Sequence, residues 1–238
     1  TKFTVKIDKT APMLSGIPSS NWTNKDVEMK LISKDKLSGI NSFLLKNGTE
    51  IIKSGTVSIQ KDTATIEYTL TEEGIYNYKV YSEDNADNPA PRNSKEESFS
   101  VKIDKTAPTI TGDYSYGWTN EDVTISQNAS DILSGVNRIE LYNSSGTKLV
   151  NGTSLLSYKV TTEGNTVYTV KAYDNADNVS NKEIRVKIDK VLPQGIFTPN
   201  SSGWRNTNLT VNFDPSDTGG SGVKQWRYAI YNNNGSTY

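Results

Sequence analysis

The eight residues VKIDKTAP at positions 5–12 recur letter for letter at 101–108, and a third version, VKIDKVLP, occupies 186–193. Val5, Ile7 and their counterparts alternate with polar residues, as a strand with one buried face requires. Pro12, Pro108 and Pro193 fix φ and push the residue before them into extended conformations. The phrase therefore reads as the last strand of one unit followed by a short, stiff lead into the next.

Other landmarks keep step with it. The aspartates of the phrase, Asp8, Asp104 and Asp189, stand 96 and 85 residues apart, a domain-sized interval rather than a solenoid repeat. Tryptophan follows at Trp22, Trp118 and Trp204. A second aspartate comes 13 residues after each tryptophan, at Asp35, Asp131 and Asp217. Ser-Gly comes next, at 38–39, 134–135 and 221–222, and DNADN closes the first two units at 84–88 and 174–178. The expected division is the last strand of a preceding module at 1–8, modules at 9–104 and 105–189, and the first half of a third at 190–238. On this reading the chain is a window onto a longer array.

Within each unit the apolar residues keep a period of two. Val27, Met29 and Leu31 share a face, as do Val123 and Ile125, and Leu209, Val211 and Phe213. Tyr76, Tyr78 and Val80, and Tyr168, Val170 and Ala172, repeat the pattern. No segment sustains helical spacing, so the expected class is all-β, with units of this length suited to two-sheet sandwiches. Aligned on the Ser-Gly glycine, Phe43, Ile139 and Trp226 share one position, and Leu45, Leu141 and Tyr228 another. A large apolar residue there resembles the core tryptophan of immunoglobulin domains, and EEGIYNY at 72–78 resembles their E–F corner.

Taken together, VKIDKTAP, WTNEDV, D-x-x-SG and DNADN are similar to the Ig-like repeats of bacterial cell-surface and secreted proteins. Those repeats carry a D-x-A-G-N turn, and here Asp87 and Asp177 stand in place of its glycine. The resemblance implies tandem immunoglobulin-like β-sandwich domains arranged end to end, outside the cell. They would act as a semi-rigid stalk or spacer whose partners are the neighbouring modules of the same chain. The alternative it implies is an adhesive or carbohydrate-binding accessory module of an adhesin or glycoside hydrolase, facing a host protein or glycan.

Composition narrows the chemistry. Lysine and arginine total 26 against 27 acidic residues, so no broad positive field favours nucleic acid or anionic lipid, and no apolar run is long enough for membrane insertion. Histidine and cysteine are absent, which removes imidazole and thiolate catalysis and the usual zinc ligand sets. Zero cysteine leaves the redox compartment open. Catalysis and an organic cofactor are not expected.

Two groups of residues are candidate sites. Asp84 and Asp87 in the first DNADN, and Asp174 and Asp177 in the second, are oxygen-rich, and with Asp104 or Asp189 they suit a calcium site between modules. The simpler reading is that Asp and Asn cap a tight turn through their own backbone, since no glutamate holds a fixed place in both copies. Asp35, Asp131 and Asp217 read as turn residues. Tyr114, Tyr116 and Trp118 form an aromatic-rich loop that suits ligand stacking, and the simpler reading of the repeated tryptophan is a plug at the end of the sandwich core.

Overall fold

The computed structural model describes residues 2–86, 91–198, 203–204 and 206–231. Among them there is no helix, and so none long and apolar enough to cross a membrane. Residues 2–12 precede the first strand. The first set of strands is β1 Met13–Ser15, β2 Trp22–Thr23, β3 Val27–Lys34, β4 Ile40–Asn47, β5 Glu50–Ser54, β6 Thr56–Val57, β7 Thr63–Leu70, β8 Gly74–Asp84 and β9 Ser94–Ile103. They form two sheets, ordered β1-β3-β7-β6 and β2-β9-β8-β4-β5.

Period-two alternation explains which side chains face inward. Met29 and Leu31 of β3 and Ala64, Ile66 and Leu70 of β7 meet Ile40, Phe43 and Leu45 of β4, Tyr78 and Val80 of β8, and Val101 and Ile103 of β9 in one core. Each large side chain there contributes roughly 1.5–3 kcal/mol by leaving water. Register is held by long antiparallel ladders, from Val27↔Leu70 to Lys34↔Thr63 and from Gly74↔Ile103 to Glu83↔Ser94. A one-residue slip would turn every one of these side chains outward.

The second set repeats the plan with β10 Thr109–Gly112, β11 Ser115–Thr119, β12 Val123–Ser130, β13 Val136–Tyr142, β14 Lys148–Gly152, β15 Leu155–Val160, β16 Gly164–Asp174 and β17 Val179–Ile188. Its sheets are β10-β12-β15 and β11-β17-β16-β13-β14. Strand β12 alternates buried and exposed residues along its whole length, placing Val123, Ile125, Gln127 and Ala129 inward. Ile139 and Leu141 are fully buried, as their alignment with Phe43 and Leu45 predicts.

The third unit departs from expectation. It contains β18 Gln194–Thr198 paired with β19 Asn212–Ser216, while 223–230, the counterpart of β4 and β13, forms no strand. Strands β4 and β13 are held by β8 and β16, and among the described residues of 190–231 no strand takes that place. Trp226 and Tyr228 accordingly remain half to two-thirds exposed.

By packing, the chain divides into two compact units. The first is Thr1–Thr109 with Ser130–Asn137 and Tyr173–Ser180, and the second is Ile110–Ala129 with Arg138–Ala172 and Asn181–Tyr238. The turns that contain Asp131 and Asp174 thus pack with Asp104 inside the first unit.

Candidate functional site: an aspartate junction

Asp104 directly follows β9. Its N–H donates to the carbonyl of Thr23, which continues the parallel pairing of β2 with β9, and the residue is fully buried. Carboxylate Oδ1 accepts the Thr106 N–H at 3.0 Å, an Asx turn that sets the path of the phrase DKTAP. Oδ2 accepts the Ser134 N–H at 2.9 Å. Asp8 is held alike, by Thr10 N–H and Ser38 N–H, both at 3.0 Å, and Asp189 by Val191 N–H and Ser221 N–H, both at 3.0 Å.

Donors converging on a carboxylate favour its charged form. The amide and hydroxyl of Thr10 hold the Asp8 carboxyl down to about 2, with Ser38 adding to the effect. The hydroxyl and amide of Ser221, then the amide of Val191, lower Asp189.

The D-x-x-SG segment forms the receiving turn. Asp131 Oδ1 accepts from Leu133 N–H at 3.2 Å and Gly135 N–H at 2.7 Å, and Asp35 Oδ1 binds Leu37, Ser38 and Gly39 in the same way. The turn requires a left-handed residue, and Gly39, Gly135 and Gly222 have φ of 81°, 79° and 78°. The DNADN turn at 174–178 supplies the third wall. Asp174 Oδ1 accepts from Ala176 and Asn178 N–H, each at 2.8 Å, and Asn175 Nδ2 donates to the Ser134 carbonyl at 2.8 Å. Asn178 Nδ2 bridges Asp174 Oδ2 at 2.7 Å and the Asp104 carbonyl at 2.8 Å.

These three segments bring oxygens of Asp104, Asp131 and Asp174 within 4.8 Å of one another, and those of Asp8, Asp35 and Asp84 likewise. The grouping matches the expected one in part. Asp174 meets Asp104, one of the two phrases expected, while Asp84 meets Asp8, which was not among them, so each turn closes on the phrase that precedes its own module. Asp35 and Asp131, read from sequence as turn residues alone, complete the clusters. Asp189 faces Ser221, whose hydroxyl donates to Asp217 at 3.1 Å. Asp177 is exposed at φ 67°, outside the cluster, in the left-handed conformation suited to the glycine of the related turn. Asp87 lies outside the described residues.

Asn88, equated with Asn178 by the motif, also lies outside them. Asn93 makes the corresponding bonds, with Nδ2 donating to Asp84 Oδ2 at 2.7 Å and to the Asp8 carbonyl at 3.4 Å. The shared Asn-Asp contact spans nine positions in one copy and four in the other. An insertion of that kind hides the equivalence from a motif search.

The aromatic candidates sit on or directly beside the edge strand β11. Tyr114 is 67% exposed under the ammonium of Lys182, 5.6 Å from its ring centroid. Tyr116 donates to the Thr124 carbonyl at 3.4 Å, and partial burial beside Asp113 raises its hydroxyl. Trp118 lies on the edge strand β11 beside β17, 38% exposed. The core-plug reading of the tryptophan fails: Trp22 pairs along β9 and is half-buried, and Trp204 is fully exposed.

No family model matches the chain. It is 28% identical over 235 residues to Exoglucanase B of Cellulomonas fimi, an alignment covering 92% of the chain and 21% of that relative. An I-band fragment of titin, I67–I69, superposes with a TM-score of 0.56 at 10% identity, covering 95% of this chain and 86% of the titin fragment. The chain is built of immunoglobulin-like β-sandwich repeats. Fibronectin(III)-like modules of Clostridium thermocellum CbhA are also similar, at 20% identity, TM-score 0.37, over 74% of this chain and 95% of theirs. As in other immunoglobulin-like domains, a tyrosine near the start of a strand closes the corner before it: the Tyr76 hydroxyl is shared between the carbonyls of Glu72 at 3.3 Å and Glu73 at 3.2 Å.

Proposed function

We propose that the chain is a non-catalytic, extracellular repeat segment that serves as a semi-rigid spacer in a larger surface or secreted protein. The observation that carries this reading is the recurring bond from the aspartate of each VKID phrase to the Ser-Gly turn that follows, found at Asp8, Asp104 and Asp189. A flexible tether needs no such bond, whereas a spacer of fixed length does. Resemblance to about a fifth of an exoglucanase supports an accessory role beside a separate catalytic domain. Small-angle scattering of the 238-residue protein tests the proposal: it predicts an elongated particle, and a compact globule would contradict it.

A second reading is a carbohydrate-binding accessory module, favoured by the exoglucanase relative and by exposed Tyr114. It predicts retention on an insoluble glucan that Y114A abolishes. Retention equal to that of an unrelated protein would exclude it.

A further inference from the structure

We propose that Asp104, Asp131 and Asp174, together with the hydroxyl of Ser134, bind one calcium ion, and that Asp8, Asp35, Asp84 and Ser38 bind a second. Three carboxylates whose oxygens lie within 4.8 Å repel one another, and Asp104 and Asp174 are fully buried. Among the described residues no lysine or arginine forms an ion pair with Asp104, Asp131 or Asp174. Backbone amides fix the three side chains in place but add no full positive charge, and Asp131 Oδ2 accepts no hydrogen bond among the described residues.

The serine points to a ligand independently. Ser134 is 8% exposed, and its hydroxyl is buried without any hydrogen-bond partner, as is that of Ser38. Leaving the same buried hydroxyl unsatisfied in two copies is costly and calls for a partner of another kind. In the third copy the equivalent Ser221 hydroxyl donates to Asp217, the counterpart of Asp131.

An all-oxygen set of three carboxylates and a hydroxyl suits a hard cation. Calcium takes oxygens at about 2.3–2.6 Å, so opposite ligands stand up to about 5 Å apart, which accommodates the observed span. Magnesium demands about 2.1 Å in strict octahedral geometry. Asp104, Thr106, Asp131 and Leu133 line a groove of about 410 Å³, through which water can complete the coordination shell. The cation would lock the turns around Asp131 and Asp174 to the VKID phrase.

Isothermal titration of calcium into the chelator-treated, full 238-residue protein tests this, with D131N, D35N, S134A and D177G alongside. Asn at 131 or 35 retains the oxygen that caps the turn, so fold is kept while a ligand charge is lost, and circular dichroism verifies this. Two equivalents are expected for the wild type and D177G, one for D131N and one for D35N, with weaker binding in S134A. No calcium heat in the wild type, or two equivalents in D131N and D35N, would overturn the proposal. Unchanged affinity in S134A would overturn the role of the hydroxyl, and magnesium displacing calcium at equal concentration would overturn the choice of ion.

Discussion

The backbone amide of Ser134 donates to the carboxylate of Asp104 at 2.9 Å, across 30 positions of sequence. Ser38 and Asp8 make the same bond at 3.0 Å, and so do Ser221 and Asp189. One carboxylate therefore performs two tasks in every copy, capping the start of DKTAP and gripping the Ser-Gly turn beyond it. The literal recurrence of the phrase follows from that double duty.

Removing the carboxylate should be costly where it is buried. D104A leaves the Thr106 and Ser134 amides without acceptors, a loss of about 3 kcal/mol that relief of crowding with Asp131 and Asp174 partly offsets. A net destabilisation of about 2 kcal/mol is expected in urea denaturation, against about 1 kcal/mol for D8A, since Asp8 is only half-buried.

The Ser-Gly turn separates conformation from crowding. At Gly135 a Cβ meets only Asn175 Nδ2, at 3.6 Å, so G135A pays chiefly for its left-handed φ, about 1–2 kcal/mol. At Gly39 the Cβ would also come within 2.6 Å of the Lys61 carbonyl. Thermal melts should rank G39A below G135A.

Asp177 offers a gain. Its φ of 67° is strained for a residue with a Cβ, and glycine relieves that strain. D177G should be more stable by about 0.5 kcal/mol, after the greater freedom of the unfolded glycine is counted. A lower melting temperature for D177G would show that the Asp177 side chain contributes contacts of its own.

Glu140 sets an acid-dependent increment of stability. Burial pushes its carboxyl up, but Tyr142 at 2.6 Å, Lys148 at 3.1 Å and Arg138 at 3.3 Å outweigh burial and leave it below its usual value of 4.5. A carboxyl lowered by folding stabilises above its unfolded value and loses that contribution as pH falls through the folded one. E140Q should cost about 1 kcal/mol at neutral pH, screened by half-exposed Lys148 and Arg138, and the gap to the wild type should close below about pH 4.5.

The sandwich plan was legible because a strand's faces alternate locally: Phe43 and Ile139 were expected inward and are 2% and 0% exposed. The same inference failed for Trp226, which no partner strand covers among the described residues and which is 49% exposed. The junction was half legible. Its aspartates announce themselves by repetition, but their grouping depends on contacts such as Asn178 to Asp104, 74 positions apart, which no spacing rule specifies. Asn93 was hidden by the insertion ahead of it. The tryptophans misled because repetition suggests one constant role, whereas Trp22 and Trp118 pair along sheet edges and Trp204 stands exposed.

Amide hydrogen exchange at Ser134, followed by NMR in the wild type and in D104A, tests the clamp most directly. Strong protection of this amide in the wild type is expected, lost in D104A while the Ser38 amide stays protected by Asp8 and Asp35. Exchange at Ser134 as fast as in an exposed loop, or undiminished protection in D104A, would contradict the account.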